Sequence, residues 1–169
     1  MFEGTYTALI TPFENGKIDY RALEILIEKQ IAEGIDGVIP MGTTGESPTV
    51  SFEEHKEFIK RVVKIVNGRV KVIAGTGANS TSEAIWLTQG AEDSGVDATL
   101  SVNPYYNKPT QRGLIAHYES IAKATKLPII LYNIPGRSGI NFLPESVSEL
   151  LKRTDHVVAM KEASGDIAQ

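Results

Sequence analysis

Six short apolar runs recur along the chain, at residues 6–10, 37–40, 70–74, 98–102, 129–132 and 157–160. They are rich in Val, Ile and Leu, bounded by Gly or Pro, and too short for helices, which is the pattern of strands buried on both faces. Between them lie amphipathic stretches with helix punctuation. Asp19 is placed to cap a helix carrying Leu23, Ile27 and Ile31 on one face, with Gly34 ending it. Ser51 with Glu54, and Ser80 with Glu83, have the spacing of capping boxes, and Gly68 and Gly95 mark the far ends of those two helices. A fourth helix is expected from about Gln111 to Ala124, and a fifth from near Pro144.

Successive runs start 31, 33, 28, 31 and 28 residues apart. A βα repeat of that length implies one α/β domain over residues 1–169, with a parallel sheet and right-handed crossovers. Two architectures accommodate it. A doubly wound open sheet can stop at five or six strands, whereas a TIM-type (β/α) barrel needs eight units, so that six would be an incomplete barrel. The count alone favours the open sheet; the motifs favour the barrel.

Composition removes several function classes. Hydrophobic residues make up 41% and charged residues 22%, an ordinary globular balance. No apolar run is long enough to span a membrane, and the first residues carry an acid instead of a basic signal region. There is no cysteine, which excludes disulfides and thiolate metal sites and fits a reducing cytoplasm. A net charge of −4 gives no footing for nucleic acid. These features fit a cytoplasmic domain working on small molecules.

In parallel α/β folds, functional groups gather where strands end and loops begin. After the second run comes Gly42-Thr43-Thr44-Gly45-Glu46-Ser47, either a polar turn or a grip for a carboxylate built from hydroxyls and backbone N–H groups. It lacks the Gly-Lys-Ser/Thr of a phosphate-binding loop, and Gly75-Thr76-Gly77 lacks the third glycine of a dinucleotide fingerprint. The fourth run leads into Asn103-Pro104-Tyr105-Tyr106-Asn107-Lys108-Pro109, a stiff loop whose phenols suit a lid, an interface anchor or a site. The fifth ends in Tyr132-Asn133-Ile134-Pro135-Gly136-Arg137, where the arginine is either a surface residue or a carboxylate clamp. The sixth ends in Lys161-Glu162-Ala163. A lysine closing an apolar strand either snorkels to solvent or, desolvated and neutral, attacks carbonyl carbon to form a Schiff base. A phenol one strand away would serve such an amine as a proton shuttle.

Gly42-Thr43-Thr44-Gly45-Glu46, the 105–109 segment, Tyr132-Asn133-x-Pro135-x-Arg137 and Lys161-Glu162-Ala163 together resemble the dihydrodipicolinate synthase (4-hydroxy-tetrahydrodipicolinate synthase) family. That family belongs with N-acetylneuraminate lyase to the class I pyruvate-dependent aldolases and lyases. The resemblance implies a TIM-type barrel, a homotetramer of two tight dimers, and a Schiff-base lyase of lysine and diaminopimelate biosynthesis that needs neither metal nor organic cofactor. By it, Lys161 matches the lysine that forms an imine with pyruvate, and Tyr132 the proton donor and acceptor. Thr43 matches the hydroxyl linking that tyrosine to a second phenol. Tyr106 matches that phenol, which a neighbouring subunit supplies. Thr44 matches the group holding the pyruvate carboxylate, and Arg137 the one receiving the carboxylate of L-aspartate 4-semialdehyde. Thr43-Thr44 and Arg137 resemble the synthase more than the neuraminate lyases, which usually show Ser-Thr and lack this arginine.

Ser47, His55, Asn79, Glu83 and Tyr105 match positions where lysine-inhibited members bind that amino acid at the tight dimer interface. Phe52 stands where some of those members have histidine. For His55 the competing reading is an exposed helical histidine. The family barrel has eight units and a helical extension, whereas this sequence stops eight residues after Lys161. The expectations are therefore a fragment of a longer product, apolar edges on the first and sixth strands, and weak or no activity in the isolated chain. Readings outside the synthase are another pyruvate-dependent aldolase or a non-catalytic small-molecule binding or assembly fragment.

Overall fold

The computed structural model describes residues 2–169. Strand β1 (Tyr6–Ala8) is followed by a small hairpin, β2 (Phe13–Glu14) and β3 (Lys17–Ile18). The repeating units then run α1 (Tyr20–Ala32), β4 (Gly37–Ile39), α2 (Phe52–Val66), β5 (Lys71–Gly75), α3 (Thr81–Ser94), β6 (Ala98–Val102) and α4 (Gln111–Lys123). They finish with β7 (Ile129–Asn133), the one-turn α5 (Pro135–Ser138), α6 (Pro144–Leu151) and β8 (Val157–Glu162).

The six longer-range strands pair in parallel in the order β1-β4-β5-β6-β7-β8. Each strand lies beside the next in sequence, so the sheet has no point at which its winding reverses. A doubly wound sheet needs such a point, and the open-sheet alternative falls on that observation. Successive helices pack on one another in chain order, α1 on α2, α2 on α3 and α3 on α4. The sheet therefore curls away from them as an incomplete barrel wall.

Local chemistry explains most element ends. Asp19 Oδ1 accepts from the backbone N–H groups of Arg21 and Ala22 at 2.9 and 3.0 Å. Ser51 and Glu54 form the reciprocal capping box, and Asn67 ends α2 in the left-handed conformation just before Gly68. Ser80 caps α3, but Glu83 does not return the bond, so that expected box is only half formed. Asn15 and Gly16 both take positive φ, 52° and 74°, the turn that closes a two-residue hairpin. Asn15-Gly16 is the sequence mark of such a turn, and it adds a hairpin to the βα repeat that the apolar runs predict. The segment after β7 likewise forms α5 in place of a plain turn, because Pro135 starts a helical turn without needing an N–H donor.

Core residues divide by face. Leu23, Ile27, Phe58 and Val62 pack between helices and sheet in the first half, and Leu114, Tyr118, Ile121 and Phe142 do so in the second. Along β7, Ile129 and Leu131 join that outer layer while Ile130 and Tyr132 turn inward to meet Ile73 and Leu100. Strands β5, β6 and β7 are buried on both faces, as the apolar runs predict. Strand β8 departs from burial on both faces and is instead the apolar edge expected of an incomplete barrel: only Val157 is buried and Val158 is 52% exposed, because β8 has a neighbour on one side alone. Among the described residues no helix is long and apolar enough to cross a membrane.

One buried titratable group sets an acid limit. His117 on α4 is 5% exposed, its Nδ1 lies 2.9 Å from Thr81 Oγ1, and its Nε2 has no partner among the described residues. Burial pushes its pKa down to about 4, so the folded chain keeps it neutral while the unfolded chain protonates near 6.5. Stability from this group is therefore complete above pH 6.5 and is lost as pH falls towards 4. The loss approaches about 3 kcal/mol. Urea unfolding at pH 7.5 and pH 4.5 should show a drop that His117→Asn reduces; an equal drop in the variant would contradict this assignment.

Candidate active site

The C-terminal ends of β4, β5, β6 and β7 enclose a cavity of about 170 Å³. Its floor comes from glycines. A side chain at Gly75 would collide with the Met41 carbonyl, and one at Gly77 with the Val102 backbone, so both are needed for close approach of neighbouring chain segments. The Gly75-Thr76-Gly77 segment thus serves packing at the cavity wall. Met41 and Glu46 hold positive φ of 55° and 57°, conformations that non-glycine residues keep only under constraint. They bracket the 3-10 turn Thr43–Gly45 at the cavity rim.

Thr43, Tyr132 and Arg137 line this one cavity, together with Ser47 and Tyr105. Thr43 from the turn after β4 is thereby brought together with Tyr132 of β7 and Arg137 of α5, as their places in the sequence predict. Tyr132 is 6% exposed and stands on the inward face of β7. Lys161 pairs with it across the sheet, and its Nζ lies 4.4 Å from the centre of the Tyr132 ring. The lysine sits inside β8, not beyond it, and its side chain is largely exposed on the open edge. Desolvation by the neighbouring apolar wall still pulls its pKa below the ordinary lysine value. The ring face opposes this by attracting the ammonium form. The cavity gathers a phenol, a hydroxyl and a guanidinium, and the Lys161 amine, which is not one of its walls, lies against the phenol ring from the neighbouring strand, a set suited to carbonyl chemistry on a carboxylate-bearing molecule.

Thr44 is exposed and does not line the cavity. Tyr106 is 89% exposed, at φ 74°, and its phenol contributes nothing to the cavity of its own chain. Among the described residues no hydrogen bond joins Tyr132 to Thr43.

A smaller adjoining space of about 90 Å³ takes Ser47, His55, Glu83 and Tyr105 on its walls, with Phe52 beside them. Asn79 lies outside it, and its carbonyl accepts from Asn107 Nδ2 at 3.1 Å. His55 is 4% exposed, which removes the reading of an exposed helical histidine. Its Nε2–H donates to the Gly75 carbonyl at 2.8 Å, and burial lowers its pKa despite that bond. Burial, then the charge of Glu83, raises the Tyr105 pKa. Ser47, Gly77 and Tyr105 are walls of both spaces.

Behind the inward face runs a polar chain that the sequence reading missed. Tyr118 OH donates to Asn103 Oδ1 at 2.7 Å, Asn103 Nδ2 donates to Asn133 Oδ1 at 2.7 Å, and Asn133 Nδ2 donates to Glu162 Oε2 at 2.9 Å. Asn103 and Asn133 are fully buried. Desolvation pushes the Glu162 carboxyl up, but hydrogen bonds from Asn133, Ser164 and Gln169 outweigh it and hold the pKa at about 2. The available signal was an asparagine directly after each of two apolar strands, a costly residue to bury without partners.

The Dihydrodipicolinate synthetase family profile matches residues 1–169. The chain belongs to that family. The 4-hydroxy-tetrahydrodipicolinate synthase of Leptospira biflexa is 57% identical over 169 residues, which are 100% of this chain and 57% of that protein. A solved structure of the chloride-inhibited dihydrodipicolinate synthase of Acinetobacter baumannii, complexed with pyruvate, superposes with a TM-score of 0.96 at 46% identity, covering 99% of this chain and 58% of that one. The enzyme of Cyanidioschyzon merolae with lysine bound gives 0.95 at 45% identity, covering 99% and 58%. The chain spans somewhat over half the length of the relatives it matches. The family relation agrees with the TIM-type reading and with the resemblance carried by the four motifs.

The desolvation of Lys161 has a direct readout. Competitive acylation with peptide mapping across pH 7–11 should give Lys161 a midpoint below the ~10.4 of a solution lysine. A midpoint at or above that value would contradict the stated environment.

Proposed function

We propose that this chain carries the imine-forming machinery of a class I lyase that condenses pyruvate with L-aspartate 4-semialdehyde to 4-hydroxy-tetrahydrodipicolinate. The observation that carries the proposal is the pairing of Tyr132 with Lys161 beside the cavity that Thr43 and Arg137 also line. The neutral Lys161 amine attacks the ketone carbon of pyruvate, and loss of water leaves a protonated imine. That imine is the electron sink, so a methyl proton can leave to give an enamine, with Tyr132 moving the proton. The enamine carbon attacks the aldehyde, the product amine closes the ring, and Lys161 is released. Arg137 receives the carboxylate of the second substrate, and Thr44, exposed in the same turn as Thr43 and outside the cavity walls, is assigned the pyruvate carboxylate by the family resemblance alone.

The exposed Tyr106 fits the role of a phenol lent to a neighbouring subunit of a homotetramer, completing a Tyr132–Thr43–Tyr106 proton path. The smaller space bounded by Ser47, His55, Glu83 and Tyr105, with Asn79 near its edge, is proposed as the place where lysine would inhibit, Glu83 facing the ligand's ammonium. The pyruvate and lysine complexes of the two relatives support these assignments by kinship.

Borohydride reduction in the presence of pyruvate, read by intact mass and peptide mapping, tests the proposal. One adduct of about 72 Da should appear on Lys161, be absent from Lys161→Met, and form at least ~10²-fold more slowly in Tyr132→Phe, the usual scale of a general acid–base contribution. A folded chain that takes no adduct, or takes it on another lysine, would contradict the assignment.

A further inference from the structure

Strand β8 breaks its own alternation. Ile129 pairs with Val157 and the next residue, Ile130, pairs with Ala159, so Val158 is left over between the two pairs. Packing records the same break: Val157 and Met160, three residues apart, both join the apolar layer beneath the helices, where an uninterrupted strand would place them on opposite faces. Beyond the break, Leu131 lies beside Met160, Tyr132 beside Lys161 and Asn133 beside Glu162. Were Val158 paired with Ile130 instead, every later partner would move by one. Met160 would sit beside Tyr132, and Lys161 would turn to the helix side beside Asn133. The location of the amine is thus a choice between two registers.

The far end of the strand holds the choice made. Asn133 Nδ2 donates to Glu162 Oε2 at 2.9 Å, and Ala163 N donates to the Asn133 carbonyl at 2.9 Å. Asn133 is fixed in turn, its Oδ1 accepting from Asn103 Nδ2 at 2.7 Å and from Phe142 N at 3.0 Å. Glu162 also accepts from Gln169 Nε2 at 2.9 Å. In the other register the Asn133 amide would meet an ammonium group, donor against donor, and Met160 would leave the apolar layer. We propose that Asn133 and Glu162 are positioning residues that hold the bulge at Val158 and thereby turn Lys161 onto the face of Tyr132. Their catalytic meaning rests on the imine reading given above; the choice of register does not.

The chain has no cysteine, so engineered pairs report register directly. Ile130→Cys with Ala159→Cys should crosslink readily in the parent, and Ile130→Cys with Val158→Cys poorly. Adding Glu162→Ala should move yield from the first pair to the second, and Glu162→Gln should move it the same way but less. Without the cysteines, Glu162→Ala should lower the Lys161 pyruvate adduct roughly tenfold, the scale of a hydrogen bond to a charged group. Deleting Val158 from that variant should restore the adduct, because regular pairing then sets Lys161 beside Tyr132. A general loss of stability would not be cured by a further deletion. Crosslink yields unchanged by Glu162→Ala, or, where the parent traps pyruvate, no restoration in a deletion variant with native circular dichroism, would overturn the proposal. Shifted crosslinks in a chain that never traps pyruvate would uphold the register and overturn the imine reading alone.

Discussion

The parallel hydrogen bonding between β7 and β8 is the contact on which the site depends. Side chains on adjacent parallel strands share a face only when their residues are in register, and a slip of one residue moves the whole set to the other side. Tyr132 is committed inward because Ile129 and Leu131 fill the layer beneath the helices. Lys161 meets it only because β8 accommodates one extra residue upstream. The outer face and the inner face are therefore not independent: the Asn103–Asn133–Glu162 chain and the Met160 contact decide what the inner face presents.

The loops at the strand ends obey a different constraint, close approach. Gly75 and Gly77 let the β4 and β6 loops come near β5, and Met41, Glu46, Tyr106 and Lys108 hold left-handed backbone conformations. Such positions are tolerated where the surroundings over-determine them: Met41 lines the cavity and Glu46 closes the turn that carries Thr43, while Tyr106 and Lys108 lie in the loop that follows Tyr105, another of its walls. For Tyr106 the phenol stands outward, away from its own chain's cavity.

Much of this was legible in the sequence because burial leaves strong local marks. Runs of Val, Ile and Leu gave the six strands, and Asp19 and Ser51 marked helix starts that the backbone confirms. The choice between an open sheet and a barrel was not legible from spacing, since both repeat βα units; strand order decided it, and only the four motifs pointed there beforehand. The grouping of Thr43, Tyr132 and Arg137 was readable from their places at strand ends. The burial of His55, the displacement of Thr44 and Asn79 from the two spaces, and the bulge at Val158 were not. Each depends on contacts between segments far apart in sequence, which no local pattern of apolar and polar residues encodes.

The most direct test of the account is a crystal structure of the chain after reduction with pyruvate. It should show density continuous from Lys161 Nζ, with the added carboxylate turned towards Thr43 and the Tyr132 hydroxyl beside the new carbon–nitrogen bond. Density on any other lysine, or a Lys161 turned to the helix side of β8 next to Asn133, would contradict it.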